Sequence, residues 1–427
     1  MAEALTRWRT ARKLAFTTGA EGIAQAVAAA SGFLIVHHLP KDVYAEYTFL
    51  VACAALLAGL SDIGFSHCYL PIVGRRTGDV SWVISACSHV FRKRWRLLLP
   101  AAVLVVPYWL VISVRHGWID TDYLLASLAS VVGVGLMMRE QLSRTVMTIF
   151  REVQVLNRIN VVGSCSRLVL IVLVLMFVPA WALLPCLMIA TAAATAVFLA
   201  QYRHVPLLKG LPGGVLDPPD VGEVDGRVKA IITPLVLPAL FYQFQGTITI
   251  MLVSLIGASS AIAEVGALTR PTLILTVVDR AVAILLFPAV ASSAPGAPLT
   301  RLLVRAHVAY LLAMAALFAS SVLLPQYWIL LIGEQYAAQQ HLLWMAFLPA
   351  ILMNGSGFAF TTLSSRGITS GQGWVIPLVL AAQCTYLVLF NVSTAREALQ
   401  FAIVSALVFF IFQYTSMIVR LSRARAG

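Results

Sequence analysis

Five arginines stand inside stretches that are otherwise apolar: Arg139, Arg144, Arg167, Arg270 and Arg280. Four acids, Glu21, Asp62, Glu140 and Asp279, are embedded in the same way. Near the centre of a bilayer each such charge costs roughly 2.5 to 3.5 kcal/mol on insertion scales, so the chemistry they could do comes first. A guanidinium stays charged and donates several hydrogen bonds in one plane, which suits a phosphate. Embedded carboxylates either neutralise arginines or take up and release a proton or sodium ion. Amides at Gln25, Gln243 and Asn354 can hydrogen-bond sugar hydroxyls, or one helix to another.

Spacing sorts these residues further. Glu140 and Arg144 are four apart and can pair along one helix face. Arg139 points elsewhere and has no local partner, and Arg167 lies near the middle of its span; both either line a cavity or pair with an acid such as Asp62 or Glu21. In the stretch GALTRPTLILTVVDRA, 266–281, helical geometry sets Asp279 about 180° from Arg270 and Arg280 about 80° from it. The two arginines can then flank one sector while Asp279 faces away. Arg280 is placed near the midplane and Arg270 nearer the outer end, where it can also snorkel to the surface.

The elements that must position these charges are membrane spans. The 427 residues are 60% hydrophobic and 11% charged, with a mean hydropathy of +0.88, far from the balance of soluble domains. The fold class is therefore an all-α polytopic membrane protein. Apolar runs of spanning length fall near 14–37, 43–72, 97–114, 122–150, 157–178, 181–202, 230–257, 265–291, 302–324, 341–364, 374–391 and 397–420, which predicts about twelve helices. The first run follows Arg12 and Lys13 and is long enough to span, so no cleavable signal peptide is expected.

Charge distribution tests this map. Of the 30 Lys and Arg, five lie inside spans and three, Lys41, Arg115 and Arg396, in one set of alternate loops. The other twenty-two fall on the opposite side, so both termini are expected in the cytoplasm. The net charge of +12 thus points to anionic membrane lipids and not to nucleic acid. A basic amphipathic segment, 79–96, suits the inner membrane surface or serves as a positive stop. Trp109, Trp118, Trp181, Trp328 and Trp374 lie near span ends and are predicted to sit in interfacial belts. The six cysteines are expected to be small buried hydrophobes, with neither disulfide nor metal site, and no cofactor is implied.

The longest polar connection, with GLPGG and DPPD, divides the chain into a six-helix bundle 1–208, a cytoplasmic linker 209–229 and a second bundle 230–427. At an offset of 218 residues Gln25 meets Gln243, Ala45 meets Ala263, Glu46 meets Glu264 and Leu50 meets Leu268. A repeat of six helices keeps one orientation, so the bundles are predicted to be related by a pseudo-two-fold along the membrane normal. Such halves rock in alternating access, which makes the architecture that of a transporter.

The opening spans, with Gln25, the Leu39-Pro40 turn, Tyr44, Tyr47 and Ser61-Asp62-Ile63-Gly64, resemble those of Wzx-type polysaccharide flippases. AEVGALTRPTLILTVVDRAVAILLFPAVAS resembles that family's eighth helix, with a basic residue early and Phe-Pro late. The resemblance implies the V-shaped fold of the multidrug/oligosaccharidyl-lipid/polysaccharide (MOP) exporter superfamily. It also implies a translocase, not an enzyme, that moves an undecaprenyl-diphosphate-linked oligosaccharide repeat unit across the bacterial inner membrane, with proton or sodium coupling proposed for some members. Polymerase and glycosyltransferases of the same O-antigen or exopolysaccharide pathway are the implied partners. On that basis Arg280, Arg270, Arg139, Arg167 and Arg144, with Gln25, Gln243 and Asn354, are candidates for diphosphate and sugar contacts. Asp62, Glu21, Asp279 and Glu140 are candidates for ion coupling or charge balance. A multidrug antiporter of the same superfamily is the nearest rival, favouring acids over arginines in its cavity. A membrane glycosyltransferase or polymerase would need larger outer loops than the 5 to 18 residues expected here.

Overall fold

Long apolar runs leave a backbone in lipid with no partner but itself, and helices result. The computed structural model describes residues 19, 22–74, 76–276, 297–364 and 371–426, with backbone alone at 297–300 and 421–426. Among the described residues there are helices and turns but no strand. Sixteen α-helices follow in order: α1 Gly22–His38, α2 Lys41–Leu60, α3 Tyr69–Val73, α4 Val80–Arg96, α5 Leu98–His116, α6 Thr121–Ile149, α7 Val153–Phe177, α8 Leu183–Arg203, α9 Pro218–Gln245, α10 Ile248–Ile256, α11 Ser259–Thr269, α12 Ala297–Leu323, α13 Pro325–Ile332, α14 Leu343–Ser364, α15 Val375–Leu389 and α16 Ala395–Ala426.

Among these residues nine helices are long and apolar enough to cross a membrane, or ten if the α9–α10 pair, bent by 54°, is one span. The two other expected spans are α1, a shorter apolar helix, and 265–291. Of the latter the structure describes α11 and a 3-10 turn over Arg270–Ile274. Lipid would cover the exposed Leu99, Leu104, Phe177 and Val388.

Contacts divide the chain into two compact units, the first formed by residues up to Ser31 with Glu46–Met251, the second by Gly32–Ala45 with Leu252–Gly427. The changeover between these units falls inside α10. Two features place it there. The connection is helical from Pro218, with Asp217 at the N-cap position and proline tolerated in the first turn. That helix is also tied to the first unit: Arg76 reaches Asp220 at 3.1 Å and Glu223 at 3.3 Å, Lys93 and His89 meet Asp225 at 2.6 and 2.7 Å, and Arg227 donates to the Ile72 carbonyl at 3.1 Å. Burial pushes the Asp225 carboxyl up, yet hydrogen bonds from Lys93 and His89 outweigh it and hold it below the usual range.

The segment 79–96 is the helix α4. One face is buried in the first unit through Val83, Cys87, Val90, Phe91 and Arg94, so it is a packed element rather than a surface float. The belt expected for tryptophan is also corrected: Trp181 and Trp374 are exposed but Trp109 and Trp118 are buried. Trp109 donates to the Tyr123 hydroxyl at 3.0 Å, and Trp118 stacks on His116 with ring centroids 4.7 Å apart, so each satisfies its polar or aromatic edge inside the unit. Cys53, Cys68 and Cys87 are buried, whereas Cys165 and Cys384 are exposed, against the expectation that all six are buried. In the second unit Leu275, Tyr310, Met314 and Phe358 form one core cluster.

Candidate functional site

The embedded charges fall into groups that lie within single units. The first is built on the break after α2. Ser61 turns its hydroxyl back to the Ala58 carbonyl at 2.7 Å, and the chain then passes through positive φ at Ile63 (37°) and Gly64 (88°). Glycine is the residue that takes the latter without a Cβ penalty. Asp62 accepts from the Ser66 amide at 3.2 Å and hydroxyl at 2.7 Å. Its carboxylate also meets Arg94 of α4 at 3.1 Å, a side chain only 3% exposed. That contact is ionic, since the Arg94 Nε makes no hydrogen bond. The Arg94 Nη2 donates to Gln141 at 2.8 Å. Ser-Asp-Ile-Gly is therefore an ion-paired turn, and Asp62 is matched to Arg94, not to Arg139 or Arg167. Sequence reasoning missed Arg94 because it sits in FRKRWR, which looks like a positive stop.

The second group lies on α6, α7 and α8. Arg144 donates to Glu140 at 2.7 Å and sits over the Phe198 ring at 5.2 Å. Phe198 presses on α7 at Gly163, where a Cβ would come within 2.2 Å of the ring. One helical turn beyond Gly163, and so on the same side of α7, stands Arg167. It is half-buried with its Nε enclosed and unbonded. Arg139 is exposed on α6. Among the described residues neither the Arg139 nor the Arg167 guanidinium has an ion pair or hydrogen bond.

The third group belongs to the second unit. Arg270 opens the 3-10 turn after α11, donates from Nε to the buried Tyr44 hydroxyl at 2.9 Å, and lays its guanidinium beside Gly32 of α1. About 9 Å back along the helix, at 1.5 Å per residue, Glu264 accepts from Gln339 at 2.6 Å and meets Lys41 at 3.7 Å. Lys41 also lies over the Tyr336 ring at 5.3 Å, and Tyr336 packs edge-on to Tyr44 at 6.3 Å. Gln335 caps the end of α1 by donating to the Val36 and Leu39 carbonyls at 3.2 and 2.8 Å, acceptors that a helix end leaves open. Of this group the sequence singled out Arg270 alone as a contact. Glu264 was visible as the repeat partner of Glu46.

Glu21, Asp279 and Arg280 lie outside the described residues. Gln243 is committed to structure: it donates to the Ala55 carbonyl at 3.1 Å and fills the space over Gly59, where a Cβ would come within 1.7 Å of its amide carbon. Gln25 and Asn354 are half-buried on α1 and α14. Among the described residues no group of three or more His, Cys, Asp or Glu could hold a metal ion.

No protein-family model matches the chain, and no curated protein is similar to it in sequence. Solved structures are similar in fold. An inward-facing multidrug resistance MATE transporter of the MOP superfamily superposes with a TM-score of 0.62 at 14% identity, covering 94% of this chain and 96% of that one. A MATE structure in complex with MaL6 gives 0.59 at 14% identity, covering 96% and 95%. A MOP superfamily transporter from Pyrococcus furiosus, described as having a binding pocket of reverse polarity that suggests a different function, gives 0.56 at 14% identity, covering 96% of both chains. The chain thus has a fold like that of MATE transporters.

Proposed function

We propose that this membrane protein is a translocase of the bacterial inner membrane, with both termini cytoplasmic. Its cargo is an undecaprenyl-diphosphate-linked oligosaccharide, carried to the outer leaflet by alternating access. The supporting observation is the charge balance of the first unit. Among the described residues its embedded acids Asp62 and Glu140 are engaged by Arg94 and Arg144. Arg139 and Arg167 have no such partner among the described residues. Two unmatched guanidinium groups on adjacent spans favour an anionic cargo, and a diphosphate supplies the opposite charge in a shape that arginine binds well. Arg270, and Arg280 by its place in the sequence, are further phosphate contacts in this scheme. Gln25 and Asn354 are its candidates for sugar hydroxyls.

A second reading, antiport of cationic drugs, draws support from the descriptions of similar structures as multidrug resistance transporters. The Pyrococcus furiosus protein, whose pocket of reverse polarity is described as suggesting a different function, is the precedent for the fold serving more than one function. One experiment separates the two. In a host deleted for this gene, an Arg139→Gln/Arg167→Gln variant expressed at normal level should lose most surface polysaccharide and accumulate lipid-linked repeat units inside. Normal polysaccharide in that variant removes both arginines from the mechanism. Restored resistance to cationic drugs by the unaltered chain, with no effect on polysaccharide, establishes the rival.

A further inference from the structure

In the second unit a groove of about 580 Å³ is lined by Leu378 of α15 and, on α16, by Val408, Ile411, Phe412, Thr415, Ser416, Val419 and Arg420. Its wall is apolar from Val408 to Phe412. Hydroxyls and a guanidinium collect at the other end. Val408 and Arg420 are twelve residues apart, about 18 Å along a helix, close to the roughly 15 Å that one leaflet contributes to the hydrocarbon core. The cationic end is the one that the distribution of Lys and Arg marks as cytoplasmic.

Two details fix the depth of that end. The Arg420 guanidinium rests on the turn before α15, where a Cβ at Gly371 would come within 2.9 Å of Nη2. Trp374 in the same turn is exposed, as an aromatic residue is at the level of lipid headgroups. A chain beyond Arg420 with Arg423 and Arg425 adds positive charge by sequence, and each such residue near an anionic surface strengthens attraction.

We propose that this groove holds one anionic phospholipid of the inner leaflet, its acyl chain against Val408, Ile411 and Phe412 and its phosphate at Thr415, Ser416 and Arg420. Charge complementarity and the match between groove length and leaflet thickness select this occupant over a neutral lipid. The site belongs to the second unit and does not rest on the translocase reading.

The test uses the full chain purified in detergent, with retained lipid counted by native mass spectrometry after exposure to phosphatidylglycerol or phosphatidylcholine. The unaltered chain should keep one phosphatidylglycerol and little phosphatidylcholine. Arg420→Gln should weaken phosphatidylglycerol retention about tenfold, the loss of one charge-assisted contact. Ile411→Trp, which fills the apolar part, should lower retention of both lipids, and a monodisperse elution profile shows each variant to be folded. Equal retention of the two lipids, or retention unchanged in both variants, overturns the proposal. Preferential retention of undecaprenyl phosphate over phosphatidylglycerol overturns the assignment of the occupant.

Discussion

Asp62 with Arg94 in the first unit and Glu264 with Lys41 in the second are both acid–base contacts at the edge of apolar helices, yet they are built in opposite ways. In the first the base is sealed: the arginine side chain is 3% exposed, the acid 22%, and they meet at 3.1 Å. In the second the base is the accessible partner, with lysine 32% exposed, the acid 16%, and a separation of 3.7 Å. Glu264 has another donor, Gln339 at 2.6 Å, so the lysine can leave without stranding the carboxylate. Among the described residues Arg94 has no acid in reserve. A charge that is sealed with one counter-ion serves the fold, and one that shares or lacks a counter-ion can serve a ligand.

Removing the sealed acid should give the largest effect. Asp62→Ala leaves Arg94 buried beside Gln141 alone, and about 3 to 5 kcal/mol of stability should go, seen as a fall in melting temperature and in expressed protein. Arg94→Met added to Asp62→Ala should recover part of that loss. If Asp62→Ala melts like the unaltered chain, the contrast between the pairs collapses. Next comes Tyr44→Phe, which removes a hydroxyl that Arg270 uses inside the second unit. A hydrogen bond to a charged group is worth about 1.5 to 3 kcal/mol, and the melting temperature should drop accordingly.

Lys41→Met should cost less than about 1 kcal/mol, since its partner keeps Gln339 and the lysine is partly exposed. A loss as large as that of Asp62→Ala would show the two pairs to be equivalent. The smallest effect is expected at Asp225, which lies outside the expected spans. Its carboxyl is held below the ordinary value of 3.8 by Lys93 and His89 despite burial. A depressed folded-state value stabilises the fold above 3.8 and loses that contribution as pH falls below it. The melting difference between the unaltered chain and Asp225→Asn should therefore be present at neutral pH and shrink in acid.

Helices were legible because apolar length alone decides what can cross a bilayer. The Glu140 and Arg144 contact was legible too, because it is local to one helix turn. What the sequence hid depends on distant partners. The environment of Arg94 is set by Asp62 in the turn after α2, and its own neighbourhood, FRKRWR, resembles a simple surface stop. Lys41 looked like a loop charge beyond the Leu39-Pro40 turn, and its partner Glu264 is more than two hundred residues away. Gln243 was a candidate for sugar because nothing nearby announces that Gly59 leaves a slot for it. Trp109 was assigned to the interface since proximity to a span end does not reveal the Tyr123 hydroxyl that receives its N–H.

That slot at Gly59 also separates two kinds of selection. A side chain there would push aside the Gln243 amide and break its bond to the Ala55 carbonyl, so large substitutions at 59 should thin out in a saturation library already at the level of membrane insertion and yield. Under the proposed translocase function, substitutions at Arg167, whose guanidinium has no partner among the described residues, should persist under selection for yield and disappear only when growth demands the finished surface polymer.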